Sequence, residues 1–258
     1  MQKQRLFRRV SWNNYAMLWC WERTGFAGLK ERGGGDVMVR EVYHKALKAL
    51  QDEVLDMGKM VSQAIQDSIQ ALQTRDIEAS KEIIKKDLEI NKKRFDIEEK
   101  CIVLIATQQP LAVDLRTLTA ILSIITDLER MGDHAEGNAK INIMIGEEPL
   151  IKPLVDIPRM GEIGIAMLEK SLKAFMERDV EAARSVCDED DKVDALHDQI
   201  YHELLLLMMG NPKIINLATY LTWVSHNLER IADRVTNIAE RTVYMVTGEM
   251  EELNVSKY

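Results

Sequence analysis

The chain has 258 residues, a formal charge of −8, 46% apolar and 29% charged residues, and only 13 Gly and 5 Pro. That balance predicts a packed, all-helical protein and speaks against wholesale disorder. The negative charge speaks against a nucleic-acid binder, which presents a basic surface.

The first 37 residues differ from the rest. They hold Trp12, Trp19 and Trp21 of the four tryptophans and carry +4, which leaves −12 on residues 38–258. A basic aromatic anchor is one reading, but the segment has no apolar h-region and no helical period. A second reading is that residues 1–37 are an untranslated leader read in frame, or disordered chain. Gly34-Gly35-Asp36-Val37-Met38 back-translates to a purine-rich ribosome-binding element, a spacer and a start codon at Met38.

From Arg40 the pattern is long amphipathic helices with short breaks. The first runs to about Gln73, and Thr74-Arg75-Asp76 signals a cap. The second runs to about Thr107. Pro110 lacks an N–H and suits the first turn of the third, which ends near Ile145. Residues 147–158 contain Pro149, Pro153 and Pro158 and read as a linker between bundles over 38–146 and 159–258. The fourth helix covers about Arg159 to Met176 and Asp179 opens the fifth. Asn211-Pro212 breaks the chain before the sixth, which stops near Gly248.

The plan repeats in residues as well as in order. Arg75-Asp76-Ile77-Glu78-Ala79 matches Arg178-Asp179-Val180-Glu181-Ala182. Leu128-Glu129-Arg130-Met131-Gly132-Asp133 matches Leu228-Glu229-Arg230-Ile231-Ala232-Asp233. Two tandem repeats of an elongated three-helix bundle follow, six long helices in all.

No apolar run approaches the ~20 residues of a membrane helix; Leu204 to Met209 is a short patch inside a helix. Cys20, Cys101 and Cys187 form no CxxC pair, which fits a reducing compartment. Phosphate-loop, dinucleotide, zinc-protease and serine-hydrolase motifs are all missing, so the chain does not read as an enzyme.

What remains is carboxylate. Glu129 and Asp133, and again Glu229 and Asp233, stand at i, i+4 and share a helix face beside an apolar stripe. Asp87 and Asn91 in the second helix, and Asp190 and Asp194 in the fifth, have the same spacing. Packed side by side, these helices gather three or four oxygen ligands per bundle, which suit Mg²⁺, Mn²⁺ or Ca²⁺ and also Fe or Zn. Asn237 extends the second row, where Gly137 stands in the first. The competing reading is a solvated acidic face, with Arg130 and Arg230 forming local salt bridges. His134 reads as a surface residue, since its counterpart is Arg234; Met208 and Met209 read as core filler. A lone Glu41-x-x-His44 string does not make a di-iron site, which needs two.

The twin Leu-Glu-Arg-x-x-Asp strings resemble the duplicated E-x-x-x-D motif of the PhoU family. Tyr43-His44-Lys45-Ala46-Leu47 through Met57-Gly58, and Gln108-Gln109-Pro110-Leu111-Ala112, are similar to further family segments. The resemblance covers about residues 38–250. It implies a cytoplasmic accessory protein that restrains phosphate uptake and the phosphate-starvation response. It implies contact with the ATP-binding subunit of the phosphate ABC transporter and with a sensor histidine kinase, homodimer formation, and membrane association only through partners. It also implies metal (iron, zinc, magnesium or manganese) on Glu129, Asp133, Glu229 and Asp233, with Asp87, Asn91, Asp190 and Asp194 nearby. A metal-storing carboxylate bundle and an accessory of a different ion transporter are the alternative readings.

Overall fold

The computed structural model describes residues 35–253, with side chains from Glu41 onward. Most of the proposed leader therefore lies outside the described residues. The six helices are α1 (Gly35–Thr74), α2 (Ile77–Gln108), α3 (Ala112–Ile145), α4 (Asp156–Glu177), α5 (Val180–Gly210) and α6 (Ile215–Thr247). A 3-10 turn at Pro212–Ile214 precedes α6, and no strand occurs among the described residues.

The α1–α2 and α4–α5 turns are built alike. Arg75 and Arg178 adopt left-handed backbone at φ 58° and 56°. The next N–H, of Asp76 or Asp179, then reaches back to the carbonyl of Ala71 or Ala174, at 2.9 Å in each case. Each Asp carboxylate accepts from the N–H of the third residue on: Ala79 at 2.9 Å and Ala182 at 3.0 Å. This satisfies one of the donors that a helix start leaves open.

α1 begins at Gly35, ahead of the expected Arg40, and two prolines stand otherwise than the sequence predicts. Pro110 lies before α3, because Gln109 turns left-handed (φ 45°) to end α2 and Leu111 becomes the N-cap. Pro158, expected in the linker, lies in the first turn of α4, where a missing N–H costs nothing. The apolar stripes are buried as their period requires: Leu118, Ile121, Ile125, Leu128 and Ala135 on α3, and Leu217, Leu221, Val224, Leu228 and Val235 on α6. Met208 packs against the core, but Met209 is exposed and fills nothing.

The halves join along two lines. α1 meets α4 closely: a Cβ at Gly161 would stand 1.9 Å from Ile69 Cδ1, and one at Gly58 2.2 Å from Leu172 Cδ1. On the other line α3 packs along α6. α2 packs on α3 and α5 on α6, so each outer helix borders a motif-bearing inner one.

One buried amide ties the first bundle. Asn142 on α3 donates to the carbonyl oxygens of Ala71 (3.0 Å) and Asp76 (3.2 Å) and to Ser80 Oγ (2.9 Å). Thr242 holds the matching place on α6 and bonds only within its own helix, to the Ile238 carbonyl. Asn142→Ala is expected to cost about 2–3 kcal/mol in urea denaturation, since it strands buried acceptors. Thr242→Ala is expected to cost markedly less; equal losses would show that the tie is unimportant.

Candidate functional site

The first cluster lies where α2 meets α3. Asp87 is 8% exposed; its Oδ2 accepts from the Asn91 amide at 2.8 Å, and its Oδ1 is buried without a hydrogen-bond partner. That oxygen lies 3.3 Å from where a Cβ on Gly132 would stand, so it faces α3 between the motif residues. Burial, then the charges of Glu136, Asp133 and Glu129, push the Asp87 carboxyl up to about 6, with the Asn91 amide opposing. Arg130 Nη1 donates to Asp133 Oδ2 at 3.2 Å, and its Nε is 3.6 Å from Glu129 Oε2. Lys140 takes Glu136 at 2.6 Å.

The second cluster lies where α5 meets α6. Asp190, matching Asp87, is 1% exposed. Asp194 is raised by burial and then by Asp233, Asp191 and Asp198. Glu229 is raised by burial and Asp233, against the pull of His226, whose Nδ1 is 3.0 Å from Glu229 Oε2. Asp233 is raised by burial, opposed first by Arg230, whose Nη1 donates to it at 2.6 Å. The local salt bridges of Arg130 and Arg230 are thus present beside the gathered carboxylates. Among the described residues, no three His, Cys, Asp or Glu side chains converge closely enough to hold a metal as they stand.

Between the clusters runs a polar seam. α3 and α6 lie antiparallel there, since Asp127 meets Asn237 while His134 meets Asn227. Asp127 accepts from Asn237 Nδ2 at 3.2 Å and from Arg234 Nη1 at 3.4 Å. Asn227, its counterpart one hundred residues on, lies 3.3 Å from His134 Nδ1 and donates to Asn138 Oδ1 at 2.9 Å. A Cβ at Gly137 would come within 3.2 Å of the Asn227 amide, so the missing side chain makes room for the seam. One sequence expectation is corrected here: His134 is a half-buried seam residue rather than a surface one, and burial lowers its pKa. Asn237 gives its amide nitrogen to Asp127 across the seam. Gly137 is a packing position of the seam.

The periodicity of α3 gives no reason to single out Asp127; only aligning it with Asn227 would have. Burial raises Asp127, while Asn237 and Arg234 hold it down. Of the other histidines, His197 Nδ1 lies 3.1 Å from Ser225 Oγ across the α5–α6 contact, and His202 Nδ1 lies 2.7 Å from the Asp198 carbonyl within α5.

The family model described as PhoU domain matches the chain twice, over residues 54–141 and 157–242. The phosphate-specific transport system accessory protein PhoU homolog of Clostridium acetobutylicum is 40% identical over 218 residues, 84% of this chain and all of that protein. The homolog of Aquifex aeolicus is also 40% identical, over 80% of this chain and 93% of that one. The crystal structure of the phosphate transport system regulatory protein PhoU from Streptococcus pneumoniae shares the fold at a TM-score of 0.77 and 33% identity. That match covers 81% of this chain and 99% of the solved one.

A carboxyl raised in the folded state binds its proton sooner than in the unfolded chain, so it destabilises the fold as pH rises through about 6. Asp87→Asn is therefore expected to melt higher than the parent at about pH 7, with the gap closing by about pH 4. Thermal melts at the two pH values check this; an equal gap at both would refute it.

Proposed function

Because the chain belongs to the PhoU family, we propose that it is the accessory protein of a phosphate transport system and restrains the phosphate-starvation response when phosphate is plentiful. In this reading it works in the cytoplasm, where it contacts the ATP-binding subunit of the phosphate ABC transporter and the sensor histidine kinase, and forms a homodimer. The observation that carries the reading is the double match of one family domain, with similarity extending over the whole length of a curated relative. Two physical features support it. The charge of −12 on residues 38–258 suits basic protein surfaces. The same charge disfavours direct capture of phosphate, which needs exposed Arg, Lys or helix N-termini. No described helix is long and apolar enough to cross a membrane, so the reading requires partners to bring the protein to one.

The two clusters are the proposed metal sites, with Glu129, Asp133, Asp87 and Asn91 in one and Glu229, Asp233, Asp190 and Asp194 in the other. The first donor set is all oxygen, which suits Mg²⁺ or Mn²⁺ and is compatible with Fe or Zn. The buried, unpartnered Oδ1 of Asp87 is an acceptor that a cation would satisfy. Such an ion would neutralise charge where neighbouring carboxylates now raise Asp87, Asp194 and Glu229. The protein's part is to hold α2 against α3, and α5 against α6, so that the acids stay gathered.

Deleting the gene is expected to switch on phosphate-starvation genes in high phosphate, as read from their transcripts, and a plasmid copy is expected to restore repression. Unchanged transcripts would refute the regulatory role. Calorimetry with inorganic phosphate is expected to show no binding tighter than millimolar. Elemental analysis of the purified chain is expected to find metal that the Glu129/Asp133/Glu229/Asp233 all-Ala variant lacks.

A further inference from the structure

Each acid row already holds a positive charge of its own. The guanidinium of Arg130 lies across both motif carboxylates, 3.2 Å from Asp133 and 3.6 Å from Glu129. The spacing dictates this: Arg130 follows Glu129 directly and precedes Asp133 by three, so its fork falls along the side of the row. In the second cluster the arginine reaches one of the two motif acids, and a histidine lies beside the other. Arg230 holds Asp233 at 2.6 Å and His226 takes Glu229 at 3.0 Å.

In the first cluster this arrangement leaves Asp87 out. Asp87 Oδ1, more than nine-tenths buried and facing α3, has no hydrogen-bond partner. The guanidinium sits on the outer side, with the Arg130 side chain 56% exposed, and satisfies only the two motif acids. A broad planar group cannot serve the inner oxygen and the outer pair together. A small divalent ion can draw oxygens from α2 and α3 to one point. An exposed ion pair is weak, so the arginine gives way at little cost.

We propose that the arginine inside each motif is a built-in competitor for the cation: it covers Glu129 and Asp133, or Asp233, in the metal-free protein, and a divalent ion displaces it into solvent. Metal loading then does two things at once. It closes the acid cluster, and it frees Arg130 and Arg230 on the surface of α3 and α6, where a partner's carboxylate or phosphate can take them. This inference rests on the metal reading given above and adds to it the arginine's role and the surface that metal would expose.

The test uses the full chain and Mn²⁺ alone. Calorimetry compares the parent with Arg130→Gln, Arg230→Gln and Arg130→Lys. Each Gln variant is expected to bind Mn²⁺ about tenfold tighter at its own cluster, and the Lys variant, which keeps charge but loses the fork, to fall between. Linkage requires the reverse effect too, so phenylglyoxal should modify Arg130 and Arg230 faster when Mn²⁺ is present, read by peptide mass. Arg94, paired with Glu98 at 3.3 Å, serves as the unaffected control. Unchanged or weaker Mn²⁺ binding in the Gln variants overturns the proposal. Tighter binding without any change in labelling also overturns it, because the arginine then acts by charge alone and never leaves. Mn²⁺ binding to none of the forms refutes the metal reading itself, and this inference with it.

Discussion

The contact between α3 and α6 sets the position of everything else that bears on function. Each of these helices has one flank in the core, one against its own outer helix and one against the other half. The acid motifs stand on the flank shared with α2 or α5, one position away from the seam residues: Asp133 is followed by His134, and Asp233 by Arg234. The seam therefore fixes how the two acid rows stand relative to each other, while the α2–α3 contact places Asp87. The seam is polar, and polar contacts fix register more sharply than apolar ones, because each donor has few acceptors within reach.

The acid clusters are gathered at a cost that the sequence does not hide. Like charges one turn apart oppose helix formation, and their partial burial removes the solvent that would screen them. The fold tolerates this through the local arginines and through tight apolar packing directly behind the row, where Leu128, Met131 and Ala135 are fully buried. The α1–α4 line, closed by contact with two glycines, supports the opposite side. The strain is thus local, while the stability that tolerates it is distributed.

The sequence was legible wherever a rule is local. Asp76 and Asp179 cap helices as their context requires, and the stripes on α3 and α6 are buried in register. It was least legible where the answer lies on another helix. Periodicity says which face is apolar but not what a polar residue on the border of that face will meet, so it reads His134 as a surface residue and does not foresee the Asp127–Asn237 contact. Pro158 shows a smaller ambiguity, since proline is equally at home in a linker and in a first helical turn. The repeat carried information that single positions did not, because Asp127 becomes conspicuous once it is set beside Asn227.

That pair bears on how the two halves recognise each other. Across the pseudo-two-fold axis Asp127 finds Arg234 and Asn237, while Asn227 finds His134, Asn138 and the space above Gly137. Two copies of the first half, paired the same way, would each turn Asp127 toward a half-buried histidine and lose its arginine. Two copies of the second would each press Asn227 against Asn237 and leave Arg234 without a carboxylate. The duplicated halves have thus diverged where they meet: one side of the seam sets a carboxylate against an arginine, and the other sets an amide beside a histidine.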